Sequence, residues 1–214
     1  MPEFIITPVF RVEELASSAR ETALAWGRQH AVPDDWYECV IDDFATVCSI
    51  IGVDLAMRPV RLFGGGTRQE PRVLFSGFSS QGDGASFEGS YRYAKRSTAE
   101  IRAHAPTDND LHRVADTLAT IQRRNIYQLE ALIRQQGRYC HEYTMTITVE
   151  RASPTGQTPT VTAEDQVIEA IRDLARWLYR RLESEYDHLT SDAEIDAALR
   201  ANDHTFTEAG VRFP

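Results

Sequence analysis

Apolar residues recur every three or four positions at Val12, Leu15, Ala19, Ala23 and Trp26, and again at Trp36, Val40, Phe44, Val47 and Ile51, the spacing of two amphipathic helices. Pro33 separates them, Asp35 with Glu38 makes a capping box for the second, and Gly52 closes it. Ahead of both, "EFIITPVF" (3–10) reads as a short strand. From Arg72 the period shortens to two. Residues 72–79 and 85–93 flank a tight loop, with Ala85, Phe87, Gly89, Tyr91 and Tyr93 on one face, so this stretch predicts a β-hairpin. A second hairpin is predicted from Tyr127, Leu129, Ala131 and Ile133 before Gln136-Gly137, and Tyr139, His141, Tyr143, Met145, Ile147 and Val149 after it. Between the hairpins, Ser97 with Glu100 caps a short helix that stops before Pro106. Thr107 with Asp110 caps a longer one carrying Leu111, Val114, Ala115, Leu118 and Ile121, which Asn125 ends. Thr162 with Asp165 opens a long helix through Leu182, and Ser191 with Glu194 a shorter one through Leu199. The tail "TFTEAGVRF" reads as a strand or hairpin able to join Phe4 to Phe10.

This order of elements predicts an α+β fold in a single domain over residues 1–214. Its core is an antiparallel sheet of two β-hairpins joined by helices, with N- and C-terminal helical layers packed on it. Residues 58–72, which contain Gly64-Gly65-Gly66, read as a flexible insertion; no Gly-Lys-Ser/Thr follows, so the glycines are not a phosphate-binding P-loop.

Composition narrows the function classes. With 214 residues, 42% of them hydrophobic, the chain can bury one substantial core, and its longest apolar runs fall far short of a bilayer span. Neither a basic leader region nor an A-x-A cleavage pattern precedes Phe10, so the expected address is cytoplasmic and no membrane partner is expected. Cys39, Cys48 and Cys140 have no C-x-x-C spacing and read as buried thiols. The net charge of −9 is unevenly spread: residues 1–57 carry ten acids against three bases, and 58–138 thirteen bases against eight acids. An acidic surface formed by Asp34, Glu38 and Asp42, with Asp192, Glu194 and Asp196 near the other end, is a candidate contact for a basic protein partner. The overall sign opposes general DNA binding. The basic middle nevertheless offers Arg92, Lys95, Arg123 and Arg124 as an alternative contact, with Tyr91 and Tyr93 spaced as a platform for single-stranded nucleic acid.

The first hairpin's loop concentrates Ser79, Ser80, Gln81, Asp83, Ser86 and Glu88 around Gly82 and Gly84. A tight turn accounts for the glycines, while the hydroxyls and turn amides can also contact a ligand or partner. A nucleotide- or nucleic-acid-acting enzyme built on this Ser/Gln/Asp hairpin is the alternative, with Asp83 or Glu88 paired to His141 as acid and base. No G-x-S-x-G elbow supports a serine nucleophile, and His141-Glu142 fails the H-E-x-x-H pattern at Met145. Asp108, His112 and Asp116 lie four apart on one helix face, a spacing shared by metal ligands and by solvated helix surfaces. No metal and no cofactor are expected.

Five segments, "WYECVIDDF", "FSGFSSQGDGASFEGSYRYAK", "APTDNDLHRVADTLATIQRRNIYQL", "RYCHEY" and "LYRRLESEYDHLTSD", together resemble a family of phage and prophage proteins labelled "antitoxin of toxin–antitoxin stability system". The resemblance runs over most of residues 10–213. Relative to that pattern Arg58–Arg72 is an insertion, and Ser79 stands where tryptophan is common. The resemblance implies an accessory protein of a mobile element. Its expected work is to bind and neutralise a protein partner, a toxin or a host-defence effector such as a CRISPR complex or a nuclease.

Overall fold

A computed structural model describes residues 7–214. It is an α+β protein with six α-helices and antiparallel sheets among the described residues. They divide into two compact units, one from residues up to Glu38 with Ser184–Pro214, the other Cys39–Glu183. No helix among the described residues is long and apolar enough to cross a membrane.

In the first unit a 3₁₀ turn at Val12–Glu14 precedes α1 (Ser17–His30), so the predicted helix starts one turn late. Opposite it runs α6 (Asp192–Ala201), whose Ser191 hydroxyl accepts from the Glu194 amide, the expected cap. Val12, Ala23, Leu24, Ile195, Leu199 and Phe206 form the core, with Trp26 packed against it. Gly27 allows the helices to approach this closely, because a Cβ there would sit 2.5 Å from the Ile195 methyl. The tail is the expected hairpin, β9 (Thr205–Phe206) with β10 (Arg212–Phe213), and Phe206 also bridges Phe10. Residues 3–6 of the expected first strand, including Phe4, lie outside the described residues.

The second unit begins with α2 (Glu38–Ile51), whose Val40, Phe44, Val47 and Ile51 are buried as their period predicts; Trp36 falls outside the helix. Its strands are β1 (Val53–Leu55), β2 (Met57–Arg61), β3 (Thr67–Pro71), β4 (Val73–Phe75), β5 (Ala85–Phe87), β6 (Gly89–Arg92), β7 (Leu129–Gln135) and β8 (Met145–Arg151). The main sheet has the antiparallel order β1-β6-β7-β8. One face carries the buried Val53, Tyr91, Leu129, Ala131, Ile133, Ile147 and Val149. The other face carries Asp54, Arg92, Leu132, Arg134, Thr148 and Glu150, all exposed. α3 (Ser97–His104), α4 (Asn109–Arg124) and α5 (Ala163–Leu189) follow, α4 and α5 with one buried apolar stripe each and α3 with Ile101 buried. Phe44 lies 5.2 Å from Phe87 and 6.4 Å from Trp177, centroid to centroid, tying α2 and α5 to the strands.

Three predicted details differ. The strand at 85–93 is split at Glu88: β5 pairs only with β4, whereas β6 joins the main sheet. At Glu88 the chain changes partner, its amide donating to the Arg72 carbonyl and its carbonyl accepting from Ala56, and at Gly89 a Cβ would lie 2.3 Å from the Asp54 carbonyl, so only glycine lets β1 come alongside β6. Residues 58–72 hold more strand than the expected short extended piece, since β2 and β3 pair from Met57↔Pro71 to Arg61↔Thr67 on either side of the glycines. Of the helix starts, Asp108 rather than Thr107 caps α4, accepting from the Leu111 amide, while Arg96 and Thr162 precede α3 and α5 with left-handed backbones.

Candidate partner-binding loops

The loop between β4 and β5 is closed by one carboxylate. Asp83 Oδ2 accepts from the amides of Ser80 at 2.6 Å and Ser79 at 3.0 Å, and the Asp83 amide donates to the Ser80 carbonyl at 3.0 Å. These bonds, the one from Ser80 first, hold its carboxyl below the usual aspartate range. From α5 the Tyr179 hydroxyl donates to the Gly77 carbonyl at 3.0 Å, and its ring lies 5.5 Å from Phe78.

The second loop joins β7 to β8. Gln135 donates its amide to the carbonyls of Gln136, Gly137 and Tyr139, and the Gln136 amide donates to Thr144 across the base of the loop. Tyr139, His141 and Tyr143 are therefore not strand residues. The loop ends instead in a 3₁₀ turn, Glu142–Thr144, capped by His141 Nδ1, which accepts from the Tyr143 amide at 3.2 Å. Alternation alone predicts a strand here, because the turn spans only Glu142–Thr144, too short to impose its own three-residue period on the sequence.

The two loops touch through glycine. A Cβ on Gly84 would sit 2.6 Å from the Cα and Cβ of His141, and one on Gly82, whose φ is +102°, would sit 3.3 Å from the Tyr139 ring. Tyr139 is 48% exposed and Tyr143 63%, and their rings flank His141 at 6.3 and 6.1 Å. Arg138 lies over the Tyr139 ring, and Arg172 and Arg176 lie over that of Tyr143. Although burial opposes its charge, Arg176 is held ionised beyond its ordinary range by Glu169, Glu142 and Asp173 at 2.7 to 3.0 Å, and it donates to the Tyr143 hydroxyl at 3.1 Å.

Residues 36–192 match the model of a family described as "Domain of unknown function (DUF8835)". The chain belongs to this family. No curated protein matches it, and no solved structure does.

Both loops lie inside the segment matched to DUF8835. Of the residues expected to form a hairpin contact, Ser79, Ser80 and Gln81 are exposed. Ser86 is fully buried, and Glu88 is paired to Arg72 at 3.2 Å. No hydrogen bond joins His141 to Asp83 or Glu88 among the described residues; Asp83 is committed to the loop amides and His141 Nδ1 to Tyr143. Burial, with the charge of Asp83 second, pushes the Cys140 thiol up, away from the reactive thiolate. Cys48 is buried as expected, but Cys39 is exposed and Cys140 only half-buried.

The acidic candidates are dispersed in role. Asp192 pairs with Arg28, and Asp196 with Arg20 at 2.7 Å and Arg200 at 2.6 Å, so both brace α1 against α6. Glu194 lies 3.9 Å from His188, Glu38 is half-buried, and Asp34 and Asp42 are exposed. Asp108, His112 and Asp116 are each engaged elsewhere, with Trp177 Nε1, the Ala105 carbonyl and Arg102 respectively. No group of three or more possible metal ligands forms among the described residues. Arg92 is paired to Glu130 at 3.4 Å, whereas Lys95, Arg123 and Arg124 are exposed. Tyr91 is in the core, its hydroxyl bonded to Gln122 and pushed by burial to about 12, so it is no part of a surface platform.

Sequence reasoning missed Tyr139, His141 and Tyr143 as surface residues. The usable signal was "GRYCHEY" itself, in which a turn glycine precedes three ring side chains at alternate positions.

Proposed function

We propose that this DUF8835 protein is a binding protein that neutralises a protein partner, and that the paired loops are its contact surface. The observation that carries this reading is the row of exposed Tyr139 and Tyr143 with half-buried His141 between them, held against the serine loop by Gly82 and Gly84 and flanked by arginines. Tyrosine and arginine are the residue types most enriched where binding energy concentrates. Serine and glycine beside them supply adaptable hydrogen bonds, as in antibody paratopes. The rings are already fixed, so little side-chain entropy is lost on contact. The commitment of Asp83 to backbone amides supports binding over catalysis, since a carboxylate so engaged is a poor general base. A toxin, a nuclease or another defence effector is the partner class that the antitoxin-like resemblance implies, in a host cytoplasm.

The test is co-purification of the parent chain with a stoichiometric protein from carrier or infected cells, repeated with Tyr139→Ala plus Tyr143→Ala. The same protein should be lost from the double variant while its melting temperature stays at the parent's value. Retention of the partner by the double variant, or the absence of any stoichiometric protein, would refute the reading.

A further inference from the structure

The described residues contain five non-glycine residues with left-handed backbone: Arg96, Ile126, Tyr127, Thr162 and Asp203. Four of them gather in one place, the corner where α4 turns into β7. Ile126 and Tyr127 form the corner, and the rings of Tyr93 and Tyr127 lie 4.4 Å apart, which brings in Arg96 three residues beyond Tyr93. Thr160, two residues before Thr162, is bonded to Asn125 by both its amide and its hydroxyl. A β-branched residue such as Ile126 at φ +54° is a strained conformation, and it persists only where the surroundings over-determine it.

Here the surroundings are two fully buried amides. Gln122 donates to the Leu129 carbonyl at 2.7 Å and accepts from the Leu129 amide at 3.1 Å, acting as a strand partner where β6 has already ended. Asn125 donates to the Ile121 carbonyl and to Thr160 Oγ1, and accepts from the Thr160 amide. The result is a rigid corner that holds apolar side chains outward: Ile126 is 64% exposed and Tyr127 46%. Arg123 and Arg124 precede them at the end of α4, and Lys95 and Arg96 follow Tyr93, whose ring meets Tyr127; all four are exposed, and no acid pairs with any of them among the described residues. The adjoining loop, residues 152–163, contains no acid either.

We infer that this corner is a second binding site, separate from the paired loops, and that it takes single-stranded nucleic acid. Four unneutralised cations suit successive phosphates, and an aromatic ring held rigidly beside them suits an unstacked base. The chain's net negative charge confines the attraction to this corner, so duplex DNA, which offers no free base face, is bound more weakly. The strain is the structural signature, because a fold under no demand for that display would place glycine at 126 and 127.

The experiment is fluorescence anisotropy of labelled oligothymidylate and oligouridylate of about a dozen nucleotides, with a duplex of the same length as control. Four phosphate contacts give a salt slope of about −3, or roughly a 50-fold loss of affinity between about 50 and 200 mM salt. Arg123→Gln with Arg124→Gln should make that slope shallower by about 1.4. Tyr127→Gly should weaken binding about tenfold with the slope unchanged, while the melting temperature holds or rises because glycine relaxes the left-handed backbone. Tyr139→Ala should leave oligonucleotide binding intact, which keeps this site distinct from the paired loops. The proposal is overturned if the single strands do not bind at low salt, if the duplex binds as tightly, or if Tyr127→Gly has no effect. It is equally overturned if polyglutamate binds in place of the oligonucleotide and is released by the arginine variants, which would assign the corner to an acidic polypeptide.

Discussion

Replacing Gln122 by methionine removes three hydrogen bonds while nearly conserving side-chain volume, so it isolates the polar contribution of the residue that holds the α4–β7 turn. Its amide satisfies both backbone groups of Leu129, at 2.7 and 3.1 Å, and reaches the Tyr91 hydroxyl at 3.3 Å. Leu129 and Tyr91 are each only 1% exposed, so water cannot replace the lost partner. An unsatisfied buried backbone group costs about 1–3 kcal/mol. Two such groups, offset in part by the transfer of an apolar side chain into the core, give a destabilisation of about 2–4 kcal/mol. In a domain of this size that lowers the melting temperature by roughly 6–12 °C. Circular dichroism melts measure the shift, and hydrogen exchange at the Leu129 amide locates it, since protection there should fall more than at Ala131. A shift under about 2 °C with unchanged Leu129 protection would mean that the turn is held by β7 pairing alone and that the Gln122 argument is wrong.

Three further outcomes are expected. Gly84→Ala should lower stability by about 1–3 kcal/mol, because the new Cβ meets the backbone of His141 and the loops must separate; a thermal melt coinciding with the parent's would contradict the contact. Asp196→Lys should destabilise the helix pair α1–α6 more than Glu194→Lys, since Asp196 is shared by Arg20 and Arg200 and its side chain is only 13% exposed; equal urea midpoints for the two variants would refute that ranking. His204 is held neutral, first by burial and then by Arg212, so its folded pKa lies below the unfolded value of about 6.5. Its contribution to stability is therefore present above about pH 6.5 and lost as pH falls through the lower folded value; His204→Gln should flatten that part of the stability–pH curve, and parallel curves for the two proteins would exclude the effect.

Periodicity carried most of the secondary structure in this chain. Val40, Phe44, Val47 and Ile51, and likewise Leu111 to Ile121, are buried because a helix that exposes such a stripe to water gains nothing, whatever its neighbours are. The hairpin turn at Gly82 was equally legible, since a positive φ selects glycine locally. What escaped were features whose cause lies far along the chain. Gly84 looked like a turn residue, yet its φ is not positive and its smallness is demanded by His141, 57 positions away. Asp192 and Asp196 were a solvated acidic surface in sequence, but once α1 lay beside α6 they paired with its arginines, Asp196 with its side chain only 13% exposed and Asp192 still at the surface. Tyr139, His141 and Tyr143 alternate like a strand, but only the closing of their loop by Gln135 sets them on a turn. Ile126 and Tyr127, good strand formers on their own, are held left-handed by Gln122 and Asn125. Local pattern determined which residues fold into which elements, because burial and backbone sterics act over a few neighbours. Tertiary contact alone decided which polar groups are consumed inside the fold and which remain to meet a partner, because charge pairing and hydrogen bonding depend on what the fold brings within about 3 Å.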